Sequence, residues 1–126
     1  MDNLAKKLEV LFALEKYEDV LKLAFENLYK SEMDKLLLYN YIIISHINLG
    51  NYDKALELCN EAIGTYPDEA FLFQLRAKIH LHHKKIKPAH TDIDNSLALN
   101  PNDAKSHFIK ARVYLENRNV VDAKKL

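Results

Sequence analysis

The sequence predicts an all-α protein built from a repeated pair of helices, and three observations carry that prediction. Turn-forming residues are scarce: 126 residues include two glycines and three prolines, whereas a strand-rich chain needs many more. Apolar residues recur at helical spacings of three and four. Short patterns return every 34 residues. Ala55, Ala89 and Ala123 keep that step, as do Tyr52, Ile86 and Val120, the pair Pro67 and Pro101, and the pair Ala70 and Ala104. A constant period of this length means one supersecondary unit stacked on copies of itself.

The pattern divides the chain into units over 1–35, 36–69, 70–103 and 104–126, read together as a single domain. In the first, Leu4, Leu8 and Leu11 precede Glu15-Lys-Tyr17-Glu-Asp-Val20, which lies 35 residues before Gly50-Asn-Tyr52 and is followed by Ala24. In the second, Leu36, Tyr39, Ile43 and His46 share a helical face and Gly50-Asn51 ends that helix. Asp53 is expected to cap the next helix, whose inner face carries Ala55, Leu58, Cys59 and Ala62. Gly64 and Pro67 end it. The third unit runs from Ala70 to about His83, turns through Lys84–Lys87, and restarts at Pro88, where a first helical turn tolerates the missing N–H. Ala55, Ala62, Ala77, Ala89 and Ala111 are the small residues at which helices are expected to approach closely. In the fourth unit, Arg118-Asn-Val-Val-Asp-Ala123 repeats the turn and opens a second helix that stops at Leu126. The chain therefore reads as a fragment or as ending in a short helix. Apolar surface around Val113, Leu115 and Val120 would then be open to self-association.

Composition narrows function by exclusion. Lysine plus arginine equals aspartate plus glutamate at 18 each, so no overall charge points to nucleic acid. No apolar run approaches the length of a signal peptide core or a membrane span. Cys59 is the only cysteine, which excludes an internal disulfide and a cysteine zinc site and fits a cytoplasmic protein. No glycine-rich phosphate loop and no catalytic constellation stands out, so neither an enzyme nor a cofactor is expected.

The period and the residues at its key positions resemble the tetratricopeptide repeat, a 34-residue helix–turn–helix unit. The second unit offers Tyr39, Ile42, Ile43, His46, Ala55, Cys59, Ala62 and Pro67. The third offers Phe73, Arg76, Ala77, His80, Ala89, Ile93, Ser96 and Pro101. The fourth offers His107, Lys110, Ala111, Tyr114 and Ala123, while the first is degenerate, with Asn27 and Glu32 in place of alanine and proline. The resemblance implies a right-handed α-solenoid of about three and a half repeats. It implies a concave groove lined by the first helix of each unit. Carried onto this chain, the groove holds Leu37, Asn40, Tyr41 and Ile44, then Phe71, Gln74, Leu75 and Lys78, then Lys105, Phe108 and Arg112.

Such a lining, apolar with a few polar guides, is expected to dock a peptide or helix of another protein, as scaffold or chaperone-like adaptor. On this reading Leu75→Asp removes docking and leaves helicity intact. Family members that clamp a C-terminal carboxylate do so at positions occupied here by Asn40, Ile44, Leu75, Lys105 and Ile109. Only Lys105 has the required character, so an acidic chaperone tail is not expected to bind in that manner.

An alternative partner class follows from the charge distribution. Residues 1–69 carry 7 basic and 13 acidic side chains, and residues 70–126 carry 11 and 5. The basic residues concentrate between Arg76 and Lys87, which reads as a solvated helix end or, as active alternatives, as a surface for an acidic partner or nucleic acid or for head-to-tail association of copies. His80 and His83 lie one turn apart, but without further ligands nearby no metal site is expected.

Overall fold

The computed structural model describes residues 3–30 and 34–125, with side chains as far as Asn119. Its described residues form seven helices and no strand. The chain divides into two compact units, Met1–Tyr66 and Pro67–Leu126. The first holds α1 (Leu4–Ala13), α2 (Tyr17–Asn27), α3 (Lys35–Asn48) and α4 (Tyr52–Thr65); the second holds α5 (Ala70–His82), α6 (Ile86–Leu99) and α7 (Ala104–Lys125).

Within each unit, sequential helices pack on one another. In the first, Leu8, Val20, Ala24 and Leu28 from α1, α2 and the end of α2 are fully buried, as are Leu38, Ile42 and Ile43 of α3 and Ala55, Cys59 and Ala62 of α4. In the second, Ala77 and Leu81 of α5 meet Ala89 and Ile93 of α6 and Ile109 and Val113 of α7, with Ile86 against them. Each large aliphatic side chain buried this way stabilises the fold by about 1.5–3 kcal/mol. The alanines at 55, 62, 77 and 89 are all fully buried, as close helix approach requires.

The first helix of each hairpin ends in the same hydrogen-bonded turn. Glu15 (φ 58°), Gly50 (φ 80°) and Lys84 (φ 60°) adopt left-handed backbone. Around them, the N–H groups of Lys16, Asn51 and Lys85 donate to the carbonyls of Leu11, His46 and His80, five residues back. Those of Glu15, Gly50 and Lys84 donate to Phe12, Ile47 and Leu81. The two bonds satisfy carbonyls that a helix end otherwise leaves unpaired. Left-handed backbone costs an L-residue roughly 1–2 kcal/mol. Glu15→Gly is therefore expected to raise stability by about 1 kcal/mol and Gly50→Ala to lower it by about 1 kcal/mol, read from urea midpoints. A methyl group on Gly50 meets nothing within 4 Å, so the backbone alone sets the sign. Unmoved midpoints in both variants would mean that the turn is not kept in solution.

Three local expectations fail. The third hairpin turns sooner than Lys84–Lys87: α6 begins at Ile86, which puts Pro88 third in the helix, still within its first turn. Asp53 does not cap α4: the helix begins at Tyr52, with Asn51 at the cap position and Asp53 in the first turn. The side chains that do cap are Asp34, accepting from Leu36 N at 2.9 Å, and Asp103, accepting from Lys105 N at 3.2 Å.

The fourth unit also does not turn at Arg118, the position equivalent to Gly50 and Lys84; α7 continues to Lys125. Continuing α7 keeps the intrahelical backbone bonds that a turn at Arg118 would break. The face that a second helix of this unit would cover is open. His107, Ala111 and Tyr114 are exposed, although Tyr39, Ile43 and Ala77 at matching positions are buried. Leu115 is exposed as expected, but Val113 lies in the core, and the side chains of Val120 and Ala123 fall outside the described residues, as does Glu32.

Candidate functional site

In the first unit, the side chains expected in the groove lie on α3, at i, i+3, i+4 and i+7. Leu37 is exposed and Asn40, Tyr41 and Ile44 are half-buried. Tyr41 meets Phe12 of α1 edge to face, with ring centroids 5.6 Å apart, and Phe12 meets Tyr17 at 5.5 Å. Partial burial, then the charge of Glu9, raises the Tyr41 hydroxyl above the ordinary tyrosine value, so the phenol stays a neutral donor. Asn40 Oδ1 is buried without a hydrogen-bond partner. Phe12 is a lining residue that sequence reasoning missed; its place in the last turn of α1, three residues before Glu15, gave no hint of contact with α3.

In the second unit, Lys105, Phe108 and Arg112 follow one another at spacings of three and four on α7. All three are exposed, Phe108 at 66 %. Phe71 is half-buried and Lys78 exposed on α5. Between them the expected lining is corrected at two positions. Gln74 and Leu75 retain only 3 % and 2 % exposure.

Gln74 belongs to a buried polar seam. Its Nε2 donates to Asp103 Oδ2 at 2.6 Å and to Ser106 Oγ at 3.0 Å. Ser106 Oγ donates to Asp103 Oδ2 at 2.9 Å and lies 3.0 Å from Ser96 Oγ, which donates to the Ala70 carbonyl at 2.9 Å. The amide that sequence reading offered to a ligand is thus spent inside the unit. Ile109 is buried as well. Of the five clamp positions, then, Leu75 and Ile109 are enclosed and Lys105 is the one cation.

The basic stretch between Arg76 and Lys87 is not one patch, because successive residues on a helix point about 100° apart. Arg76 grips the carboxylate of Asp92 through two 2.8 Å bonds. Lys84 pairs with Glu116 at 3.2 Å. His80 Nε2 lies 3.5 Å from Asp92, and its Nδ1 is buried without a partner. Burial, reinforced by Arg76, Lys85 and His83 against the pull of Asp92, holds the His80 imidazole below its ordinary value. The histidine is therefore a largely neutral packing ring at neutral pH.

Lys78 stands apart from that stretch and groups with α7. Partial desolvation, then the charges of Lys105 and Arg112, hold its ammonium below the ordinary lysine value.

An apolar depression also lies between α1 and α2, lined by Asn3, Lys6, Lys7, Val10, Leu11 and Leu23. No sequence pattern singled it out. None of the described helices is long and apolar enough to cross a membrane.

No protein-family model matches the chain, and a search of curated proteins finds no match. Solved structures do resemble it. The NMR structure of the first TPR domain of human RPAP3 has 16 % identity and a TM-score of 0.84, covering 93 % of this chain and 91 % of that one. The first TPR of Spaghetti (RPAP3), bound to the HSP90 peptide SRMEEVD, has 17 % identity and a TM-score of 0.81, covering 89 % and 88 %. A structure of the UNC-45 chaperone has 16 % identity and a TM-score of 0.84; the match covers 98 % of this chain but 14 % of the UNC-45 chain.

Proposed function

Starting from a tetratricopeptide-repeat fold, we propose that this chain is a non-catalytic docking module that holds a peptide or helix of another protein on the first helices of its hairpins. One observation carries the reading: apolar and aromatic side chains that the cores leave exposed or half-buried stand at the repeat positions expected to line a groove. These are Leu37, Tyr41 and Ile44 in the first unit and Phe71 and Phe108 in the second. Asn40, Lys78, Lys105 and Arg112 supply polar guides among them. Helices held by their own cores present such side chains before a partner arrives, which lowers the entropic cost of binding. The structure of Spaghetti with SRMEEVD is that of a similar fold with a peptide bound, and it supports the peptide class of ligand. A scaffold or chaperone-adaptor role in the cytoplasm agrees with the single buried cysteine.

The test is selection of binding peptides from a displayed random library, followed by measurement with two variants. Phe108→Ala and Tyr41→Ala each remove a ring from a lining face while leaving the buried core in place. Loss of one aromatic anchor is expected to weaken a selected peptide docked on the same unit by roughly 10–100-fold. Glu57→Ala, on the exposed side of α4, is expected to leave affinity unchanged. Selected peptides that bind both ring-deleted variants as tightly as the parent would move the docking site off these helices.

A further inference from the structure

Lys78, Lys105 and Arg112 form a cluster of like charge drawn from two helices of one unit. Lys105 and Arg112 lie seven residues apart on the same face of α7, which packs directly against α5, the helix that carries Lys78; the charges of both hold the Lys78 ammonium below its ordinary value. All three are exposed. Elsewhere in the unit, three cations have found acidic partners, Arg76 with Asp92, Lys84 with Glu116, and Lys110 with Asp94 at 2.8 Å, while Lys85 and Lys87 stand exposed at the start of α6 beside no aromatic ring of the groove register. No ion pair joins Lys78, Lys105 or Arg112 to an acidic side chain among the described residues. Like charges gathered without counterions repel one another, and an incoming anion relieves that repulsion as well as forming its own contacts. Phe108 projects from α7 between Lys105 and Arg112 in sequence and is two-thirds exposed. The arrangement therefore offers charge and an aromatic surface side by side.

We infer that the Lys78–Lys105–Arg112 cluster selects an acidic protein segment, reading internal glutamate or aspartate side chains while Phe108 receives an adjacent apolar residue. The inference rests on the docking role proposed above and names the chemistry of its ligand. It does not require a free C-terminal carboxylate, since two clamp positions, Leu75 and Ile109, are enclosed. Carboxylates spaced along a chain match cations spaced along α7. A segment with alternating acidic and apolar residues meets both kinds of surface.

The experiment uses two short synthetic peptides, acetylated at one end and amidated at the other, one alternating leucine with glutamate and one alternating leucine with glutamine. Fluorescence anisotropy with the full chain is expected to show the glutamate peptide binding about tenfold tighter in low salt, with the gap narrowing as salt approaches about 0.3 M. Lys78→Gln combined with Arg112→Gln is expected to close the gap and leave binding of the glutamine peptide unchanged. All three positions are exposed, so this variant keeps its core; an unchanged urea midpoint checks that.

Equal binding of the two peptides by the parent would overturn the inference and leave the docking role standing. So would a gap that survives in the double variant. Failure of both peptides to bind would remove the inference itself, while the library selection above still decides the docking role independently. An oligothymidylate that binds the parent more tightly than the glutamate peptide and loses binding in the double variant would assign the cluster to nucleic acid. Salt-sensitive self-association lost in that variant would assign it to a second copy. Either result also overturns the inference.

Discussion

Arg76→Met is expected to destabilise the protein by about 3–5 kcal/mol, because it strands a buried carboxylate. Asp92 is 3 % exposed, and both its oxygens are held by the Arg76 guanidinium at 2.8 Å. With the guanidinium gone, the nearest remaining group is His80 Nε2 at 3.5 Å, and burial opposes protonation of that ring. The second variant, Arg76→Met with Asp92→Leu, replaces the pair by apolar groups of similar volume and is expected to recover most of the loss. Urea midpoints of the parent, the single and the double variant give the three numbers needed. A single variant as stable as the parent would show that Asp92 is solvated and that the pair does not tie α5 to α6.

Leu75→Asp is expected to abolish cooperative folding of the second unit rather than ligand capture alone. A carboxylate placed at a site with 2 % exposure is cut off from water and leaves a leucine-sized gap in the packing, and the cost is expected to exceed about 4 kcal/mol. Circular dichroism on heating should show lost helicity and a transition that is broad or absent. The repeat pattern alone puts position 75 on an open face and leads to the opposite expectation, intact helicity with lost capture. If that variant kept its helicity and its midpoint, the leucine would face solvent and the groove lining read from the pattern would be restored at that position.

The contrast at Leu75 shows where sequence reasoning stops. A 34-residue period fixes which residues return to the same place in a helical hairpin, and it located the helices, the buried alanines and the hairpin turns. Gly50 announced its turn, but Glu15 and Lys84 adopt the same left-handed backbone with no local signal. Only the alignment with Gly50 reveals them. At Arg118 the alignment misled: α7 continues through the position where the other hairpins turn.

Side-chain destinations were less legible than backbone ones. Gln74 occupies a groove register, but its partners Asp103 and Ser106 lie 29 and 32 residues away on another element. Nothing within α5 points to them. The cations failed in the other direction. Linear density drew attention to Arg76–Lys87, while the cations that share a unit face with Phe108 join Lys78 to residues about thirty positions further on. Periodicity says which way a residue faces; it does not say whether another helix has already claimed it.

The seam of Gln74, Ser96, Asp103 and Ser106 has a consequence for how near-identical hairpins find the right neighbours. Apolar ridges of similar shape tolerate sliding by one helical turn, and modules of one design are prone to such mispairing. Hydroxyls, an amide and a carboxylate are not interchangeable in that way. A slipped arrangement would strand several of them in a dry interior, each at a penalty of about 1–3 kcal/mol. These four side chains act as an address label for the third hairpin and α7, making one alignment affordable among several that shape alone would permit.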